Sequence, residues 1–287
     1  MKIAVLGSSG FIGRNFIHQL ISRKITPRVI VREELSALAG CENVHVPSFT
    51  INSLSRALRD AEVVINFIGR FPKPFSTQVA TNVDVLSTIC AAVDYTSIKQ
   101  FIHISAAAAY GACMIPPTEE KSLAPDTTYG LSKLLGEEVI RYFSETHKLP
   151  YVVFRPTNVY GLGATAGVIY SMISSAKQQN VVHITGDGEQ IRDFIYVDDA
   201  VRAIMEVILQ NKRNKTYNLS TQELLTVRQL AAKIITRVNP NAALKFLKEN
   251  KESIRKLTAD NSLLREELGW SPLWTLDKGI DRVAQSV

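Results

Sequence analysis

The feature that most constrains this chain lies at its start. The apolar run Lys2-Ile3-Ala4-Val5-Leu6 stops at Gly7-Ser8-Ser9-Gly10-Phe11-Ile12-Gly13. A segment then follows in which Phe11, Ile12, Phe16, Ile17, Leu20 and Ile21 recur at helical spacing up to Ser22. A short run without polar alternation is a strand covered on both faces. Glycine at this junction allows a tight turn, lets the backbone approach a ligand, and lets the helix press on the strand. The helix start then offers unpaired N–H groups and a positive dipole end to phosphate. The pattern predicts a dinucleotide-binding turn at the first βα connection of a parallel sheet. The alternative is a glycine-rich connection that binds nothing.

The rest of the chain supports such a sheet. Arg28–Val31, Asn43–Val46, Glu62–Ile68, Gln100–Ser105 and Tyr151–Phe154 read as strands. Leu54–Leu58, Val79–Val93 and Tyr129–Thr146 read as the helices between them. Alternation of this kind implies right-handed βαβ units. The expectation is an α/β chain: a Rossmann-type doubly wound parallel sheet over 1–156, with returns near 197–220, and a smaller C-terminal α/β substrate lobe over 157–287. In that second part, helices are expected at Val168–Lys177, from Asp199 to Leu209 with Asp198 as cap, at Val227–Val238 and at Leu263–Leu268. Strands are expected at Gln190–Tyr196 and Thr216–Leu219. Lys212–Lys215 reads as a polar loop, and the basic stretch Lys245, Lys248, Lys251, Arg255 and Lys256 as a solvated helical or loop face.

Composition narrows the class. With 46% hydrophobic and 21% charged residues over 287 positions, a sizeable core is available and global disorder is excluded. The net charge of +6 favours anionic partners such as phosphates, without the density of a nucleic-acid-binding protein. Only Phe246 interleaves the basic stretch, which also argues against a nucleic-acid face. Cys41, Cys90 and Cys113 have no metal spacing and point to a reducing compartment. His18, His45, His103, His147 and His183 are scattered and read as structural or surface groups. His103 is expected to be a satisfied histidine inside its strand. No metal site is expected. No apolar run reaches membrane-spanning length and no secretory leader is visible, so the expectation is a soluble cytoplasmic protein with no membrane partner.

Two further features bear on chemistry. The spacing of the turn is G-x-x-G-x-x-G, and no acid stands after the second strand to hold a ribose 2′-hydroxyl. Arg32 stands there instead. An arginine there suits a 2′-phosphate, which favours NADP over NAD. The alternative is a surface arginine neutralised by Glu33 and Glu34. Further on, Tyr129 and Lys133 lie four residues apart, on one face of a helix. A neighbouring ammonium is expected to lower the tyrosine pKa. Such a phenol exchanges a proton with a sugar or alcohol hydroxyl while hydride moves to or from nicotinamide.

At this point the chain resembles a known group, the extended short-chain dehydrogenase/reductases, and within them the nucleotide-sugar epimerase/dehydratase family. The resemblance runs almost end to end. It rests on the glycine turn, Val63–Gly69, Asn82 in Thr81-Asn82-Val83, and His103-Ile104-Ser105 with Tyr110-Gly111. It also rests on Tyr129 with Lys133, Arg155-Pro156-Thr157-Asn158-Val159-Tyr160-Gly161, Gly186–Asp199 and Tyr217-Asn218-Leu219. It implies that Tyr129 is the catalytic acid/base and that Lys133 holds the nicotinamide ribose and tunes it. By the same resemblance Gly7, Ser9, Gly10, Phe11, Ile12 and Gly13 hold the cofactor with Arg32, Phe67, Ile68, Gly69, Asn82 and Pro156. Asn158 and Arg192 bind the substrate phosphates. For Arg192, whose planar fork matches phosphate oxygens, the alternative is an ion pair with Asp193 or Glu189. A homodimer is also implied.

Three departures matter. The family Ser/Thr four residues before the tyrosine of the V-Y-G segment falls on Ala106. Ser105 is one place earlier, and it substitutes as the third catalytic group only if the strand end twists. Ser76 and Thr77 are other candidate hydroxyl donors. The acid and base of the 4,6-dehydratases fall on Ala107 and Ala108, so a dehydratase is not expected. Where the family often has an acid near the adenine, the chain reads Pro47-Ser48-Phe49. The leading expectation is an NAD(P)-dependent nucleotide-sugar epimerase acting by reversible hydride transfer, at carbon four. The alternatives are an NADPH-dependent 4-keto-sugar reductase, and a catalytically weakened NAD(P)-binding protein used for regulation or RNA contact.

Overall fold

The computed structural model describes residues 1–33, 38–69, 74–248 and 254–287; Glu34 and Lys251, named above, lie outside them. In chain order the first half runs β1 (Ile3–Leu6), α1 (Phe11–Ser22), β2 (Arg28–Val31), β3 (Glu42–His45), α2 (Ile51–Ala57), β4 (Val63–Asn66), α3 (Phe75–Val79), a π-helical stretch (Ala80–Asp84), α4 (Val85–Ala92) and β5 (Gln100–Ile104). A 3-10 turn (Ala107–Tyr110), α5 (Thr128–His147), β6 (Tyr151–Pro156) and β7 (Asn158–Tyr160) follow. The second half runs α6 (Val168–Gln179), β8 (Val181–Thr185), β9 (Ile191–Tyr196), α7 (Val197–Leu209), β10 (Lys215–Leu219), β11 (Leu224–Thr226), α8 (Val227–Val238), β12 (Ala243–Leu247), β13 (Lys256–Leu257), α9 (Ser262–Leu268) and α10 (Leu276–Ala284).

Seven parallel strands form the main sheet in the order β10-β6-β5-β4-β1-β2-β3. The order reverses between β1 and β4, and in an open α/β sheet the ligand crevice lies at the carboxyl ends of the strands around that point. Register places Leu6 beside Asn66, and Asn66 beside His103. The residues that follow these strands therefore meet at one edge. Every residue of β1, β4 and β5 is buried, as expected for strands roofed on both faces.

The two faces carry separate cores. Ala4, Leu6, Val64 and Phe101 pack with Leu86, Ile89 and Ile140 beneath α4 and α5. Val5, Ile65 and Ile102 belong to a larger cluster that runs on through α7, α8 and α10 to Ile280 and Val283. The chain also returns to the main sheet after residue 156, because β10 pairs with β6. Its first residue, Lys215, comes from the stretch expected as loop.

Other elements differ from the reading of the sequence. The helix expected over Val79–Val93 is broken by the π-helical stretch around Asn82. Such bulges re-aim side chains and gather at functional sites. Asp198 does not cap α7. Tyr196 takes the cap position without a side-chain bond, and Asp198 and Asp199 lie in the first turn. Asp199 accepts instead from the Leu273 and Trp274 amides. Part of the basic stretch is strand: Lys245 lies opposite His183 in the parallel pair of β12 and β8. That pairing spans about sixty residues of chain, so no local pattern announces it.

Candidate cofactor and catalytic site

The glycine turn is fixed by main-chain contacts. Gly7 has φ +77°, and a Cβ there would sit 2.8 Å from the Ile68 amide nitrogen. A Cβ on Gly13 would land on the Gly7 carbonyl oxygen. Gly7 therefore makes the turn, and Gly13 lets α1 close on it. The Gly10 amide donates to the Gly7 carbonyl at 3.1 Å. Gly10 also occupies the cap position of α1 with no side-chain bond. The hydroxyl of Ser8, buried inside the turn, has no hydrogen-bond partner among the described residues. Ser9 is exposed, its carbonyl accepting from Arg14 at 3.2 Å. Phe11 and Ile12 are half-buried against the core. A bare cradle with an orphaned hydroxyl and open helix amides fits a dinucleotide pyrophosphate.

Opposite the cradle lies the Phe67–Gly69 turn. The Phe67 ring packs on Phe16 at 5.4 Å, and Ile68 leans into the other core. A Cβ on Gly69 would stand 3.0 Å from Lys133 Nζ and 3.6 Å from Asn82 Oδ1. The fold thus brings together four expected groups that are far apart in the chain: Gly7, Gly69, Asn82 and Lys133. Asn82 donates to Ser132 Oγ at 2.9 Å, and Ser132 Oγ donates to the Tyr129 carbonyl at 2.8 Å. The π-helical stretch is therefore tied to the first turn of α5, which Thr127 caps.

Lys133 is buried, donates to the Ile104 carbonyl at 2.9 Å, and lies 5.9 Å from the Tyr129 ring centre. Burial lowers its pKa to about 8, although the Glu137 carboxylate pulls the other way. An edge of Tyr129 still reaches solvent, but protein surrounds its hydroxyl and burial pushes its pKa up to about 12. This corrects the expectation that the ammonium would lower it. Desolvation outweighs a cation at this distance.

Ser105 is already engaged within the protein. Its hydroxyl donates to Glu137 at 2.5 Å. Glu137 also pairs with Arg155 at 2.6 Å, and both are nearly buried. Arg155 continues to the Tyr110 hydroxyl, which donates to Asn218. The reading of the sequence gave Glu137 and Arg155 no role. The signal was present, since Glu137 falls four residues after Lys133 on the same helix face. Ala106, Ala107 and Ala108 are buried beside α5, where a Cβ on Gly130 would land on the Ala108 carbonyl. Ser76 and Thr77 are exposed on α3. His103 is not fully satisfied: it is buried and its Nε2 has no partner among the described residues.

Arg32 is exposed just past β2, with its guanidinium 5.9 Å from the Phe49 ring centre. No ion pair holds it among the described residues. Pro156 ends β6 opposite Leu219. Asn158 on β7 donates to the Asp193 carbonyl at 2.8 Å. Arg192 on β9 is half-buried and bonds only the Ile191 carbonyl among the described residues, at 2.9 Å. Burial lowers its pKa. Neither expected ion-pair partner reaches it. Asp193 accepts from Thr221, Gln222 and Thr258, and Glu189 pairs with Arg228. A groove of about 500 Å³ opens along α6, between Thr165, Tyr170, Ser175 and His183. Neither the glycine turn nor Lys133 lines it. No helix among the described residues is long and apolar enough to cross a membrane.

Known proteins resemble this chain in sequence and fold. A model of the NAD dependent epimerase/dehydratase family matches residues 3–220. A putative UDP-glucose 4-epimerase of Methanocaldococcus jannaschii is 28% identical, over 98% of this chain and 96% of that protein. A dTDP-glucose 4,6-dehydratase of Xanthomonas campestris is 26% identical, over 96% and 90%. The UDP-glucose 4-epimerase of Thermotoga maritima, solved with UDP-glucose, superposes with a TM-score of 0.90 at 25% identity, covering 99% of this chain and 98% of that one. The UDP-glucuronic acid 4-epimerase of Bacillus cereus, solved with NAD, shares the fold at a TM-score of 0.90 and 24% identity, over 99% and 98%. The chain belongs to the NAD dependent epimerase/dehydratase family, enzymes of the extended short-chain dehydrogenase/reductase type.

Proposed function

We propose that the protein is a nucleotide-sugar epimerase that acts by reversible hydride transfer at a sugar carbon, carbon four, with the dinucleotide held at the glycine turn. The observation that carries this reading is the convergence of Lys133 Nζ on Gly69 and Asn82 across the crevice from Gly7. A bound nicotinamide dinucleotide supplies the hydride acceptor and donor. The chain does the rest. Tyr129 holds its proton at neutral pH, its pKa being near 12, so its hydroxyl acts as the acid when a keto oxygen regains its proton. In the opposite direction the phenolate must form, and the buried Lys133 ammonium beside it favours that charge. Lys133 is placed to hold a ribose hydroxyl near Gly69. Arg192, a half-buried cation without a carboxylate, suits a diphosphate, and Asn158 stands on the adjoining strand.

The alanines at 106, 107 and 108 leave no carboxylate for water elimination, which argues against a dehydratase. They also leave the sugar hydroxyl one donor short, since Ser105 is bound to Glu137. Arg32 favours a second reading, a 4-keto-sugar reductase that takes NADPH from solution: it stands past β2 with no carboxylate partner among the described residues. One experiment separates the two. The purified protein is denatured, any released dinucleotide is identified, and the native protein is assayed on UDP-glucose and on a dTDP-4-keto-6-deoxy sugar with NADPH. Retained NAD with interconversion of UDP-glucose and UDP-galactose supports the epimerase. An empty protein that oxidises NADPH supports the reductase. Tyr129→Phe is expected to lower either activity about 10²–10⁴-fold. Full turnover by that variant sinks both readings.

A further inference from the structure

Asn66 and His103 face each other at the ends of β4 and β5 and are 1% and 0% exposed. Two residues earlier on the same strands, Val64 and Phe101 pack beneath α4 and α5. Side chains two apart share a face, so the polar pair lies under the helix that carries Lys133. The Ile68 amide donates to Asn66 Oδ1 at 3.0 Å. The atom that accepts from Ile68 is the amide oxygen, so the atom facing His103 Nδ1, 3.3 Å away, is Nδ2. An amide nitrogen only donates, so Nδ1 accepts and the ring proton sits on Nε2. Nε2 has no partner among the described residues. Burial, and the Lys133 ammonium after it, keep the ring neutral. A buried unpaired N–H is costly. What the ring gives in return is a fixed Asn66 amide. The turn clamped by that amide meets Gly7 on one side, at 2.8 Å from its would-be Cβ, and Lys133 Nζ on the other, at 3.0 Å from that of Gly69.

We propose that Asn66 and His103 are a positioning pair for the dinucleotide: the imidazole orients the amide, and the amide holds the Phe67–Gly69 turn against the glycine turn and Lys133. The pair touches no reacting atom. It sets the floor of the site before the cofactor arrives, and preorganisation of this kind appears as affinity. The inference rests on the dinucleotide reading above.

The test is titration of the full-length protein with NADH and NADPH, alongside thermal melting, for wild type, Asn66→Leu, His103→Leu and His103→Gln. Loss of one buried hydrogen bond predicts about tenfold weaker binding for each leucine variant. His103→Gln still offers Asn66 an acceptor and is expected to recover most of that loss. The double variant Asn66→Leu/His103→Leu is expected to bind no worse than either single one, because the two act as a unit. In parallel, ¹⁵N spectra of histidine-labelled wild type, assigned against His103→Gln, are expected to show Nδ1 bare and Nε2 protonated. An Nδ1-protonated ring overturns the proposal even if the leucine variants fail to fold. Binding within twofold of wild type in all variants overturns it too, as does a loss that follows melting temperature and that glutamine does not repair. Wild type that binds neither dinucleotide removes the dinucleotide reading along with it, whereas wild type that binds alongside unaffected variants removes the inference alone.

Discussion

The glycine turn and the β7–β9 pair are built on opposite plans. Around the glycine turn, main chain meets main chain: Gly7 against Ile68 and Gly13 against Gly7. Beside it Asn82 is tied to Ser132 and Lys133 to the Ile104 carbonyl. On the β7–β9 pair, Asn158 and Arg192 bond only single backbone carbonyls in the described structure, and Arg192 keeps a half-buried charge unmatched by any carboxylate there. The first plan suits a ligand recognised by shape and backbone amides. The second leaves charge waiting for an anion. A chain specifies the first by omitting side chains, and the second by withholding a counter-ion.

The comparison can be broken from either side. The largest effect is expected from Gly13→Ala. Its Cβ has nowhere to go, because the atom in the way is the Gly7 carbonyl rather than a flexible side chain. The variant is expected to lose roughly 3 kcal/mol of stability and all measurable NADH binding. Denaturant unfolding and fluorescence titration check this, and an intact, binding variant would show that the cradle is softer than its contacts imply. Arg192→Gln is the matching test on the β7–β9 pair. It is expected to raise the KM for nucleotide sugar about 10–100-fold, the worth of a charge-assisted contact. NADH affinity and melting temperature should not fall, because the fold no longer buries an unmatched charge. A drop in stability instead would assign Arg192 a structural role.

The smallest effect sharpens the comparison through pH. Lys133 has a folded-state pKa of about 8, below the usual lysine value. The folded state therefore binds fewer protons than the unfolded chain between about pH 8 and the ordinary lysine range. Stability from this group rises with pH across that window, and its cost is complete below about pH 8. Lys133→Met is expected to stabilise the apo protein at pH 7 by about 1 kcal/mol, after the lost bond to the Ile104 carbonyl is deducted. That advantage should shrink above pH 8 while activity is lost. A variant less stable than wild type at pH 7 would mean that the ammonium is well solvated where it stands.

Much of this was legible along the chain. Local pattern marked α1 at Phe11–Ser22 and α8 at Val227–Val238 with their observed bounds, because each has an unbroken apolar stripe. It also marked the glycine turn and the spacing of Tyr129 and Lys133. It did not mark β12 or β13, whose pairing partners lie far away in sequence. Nor did it show that Ser105 is bound to Glu137, which depends on how α5 lies across the end of β5. Local reasoning also gave Tyr129 a lowered pKa, because it counted the nearby cation and not the burial.

The sequence by itself determined the type of fold and the residues that open the cradle, because those follow from backbone sterics and periodicity within a few positions. Tertiary structure alone decided which polar groups are already engaged and which stand ready. Glu137 holds Ser105, Asn66 and His103 lock a turn, and Arg192 is left without a carboxylate. Each of these outcomes depends on distances between strands and helices dozens of residues apart, and on how much water remains between them.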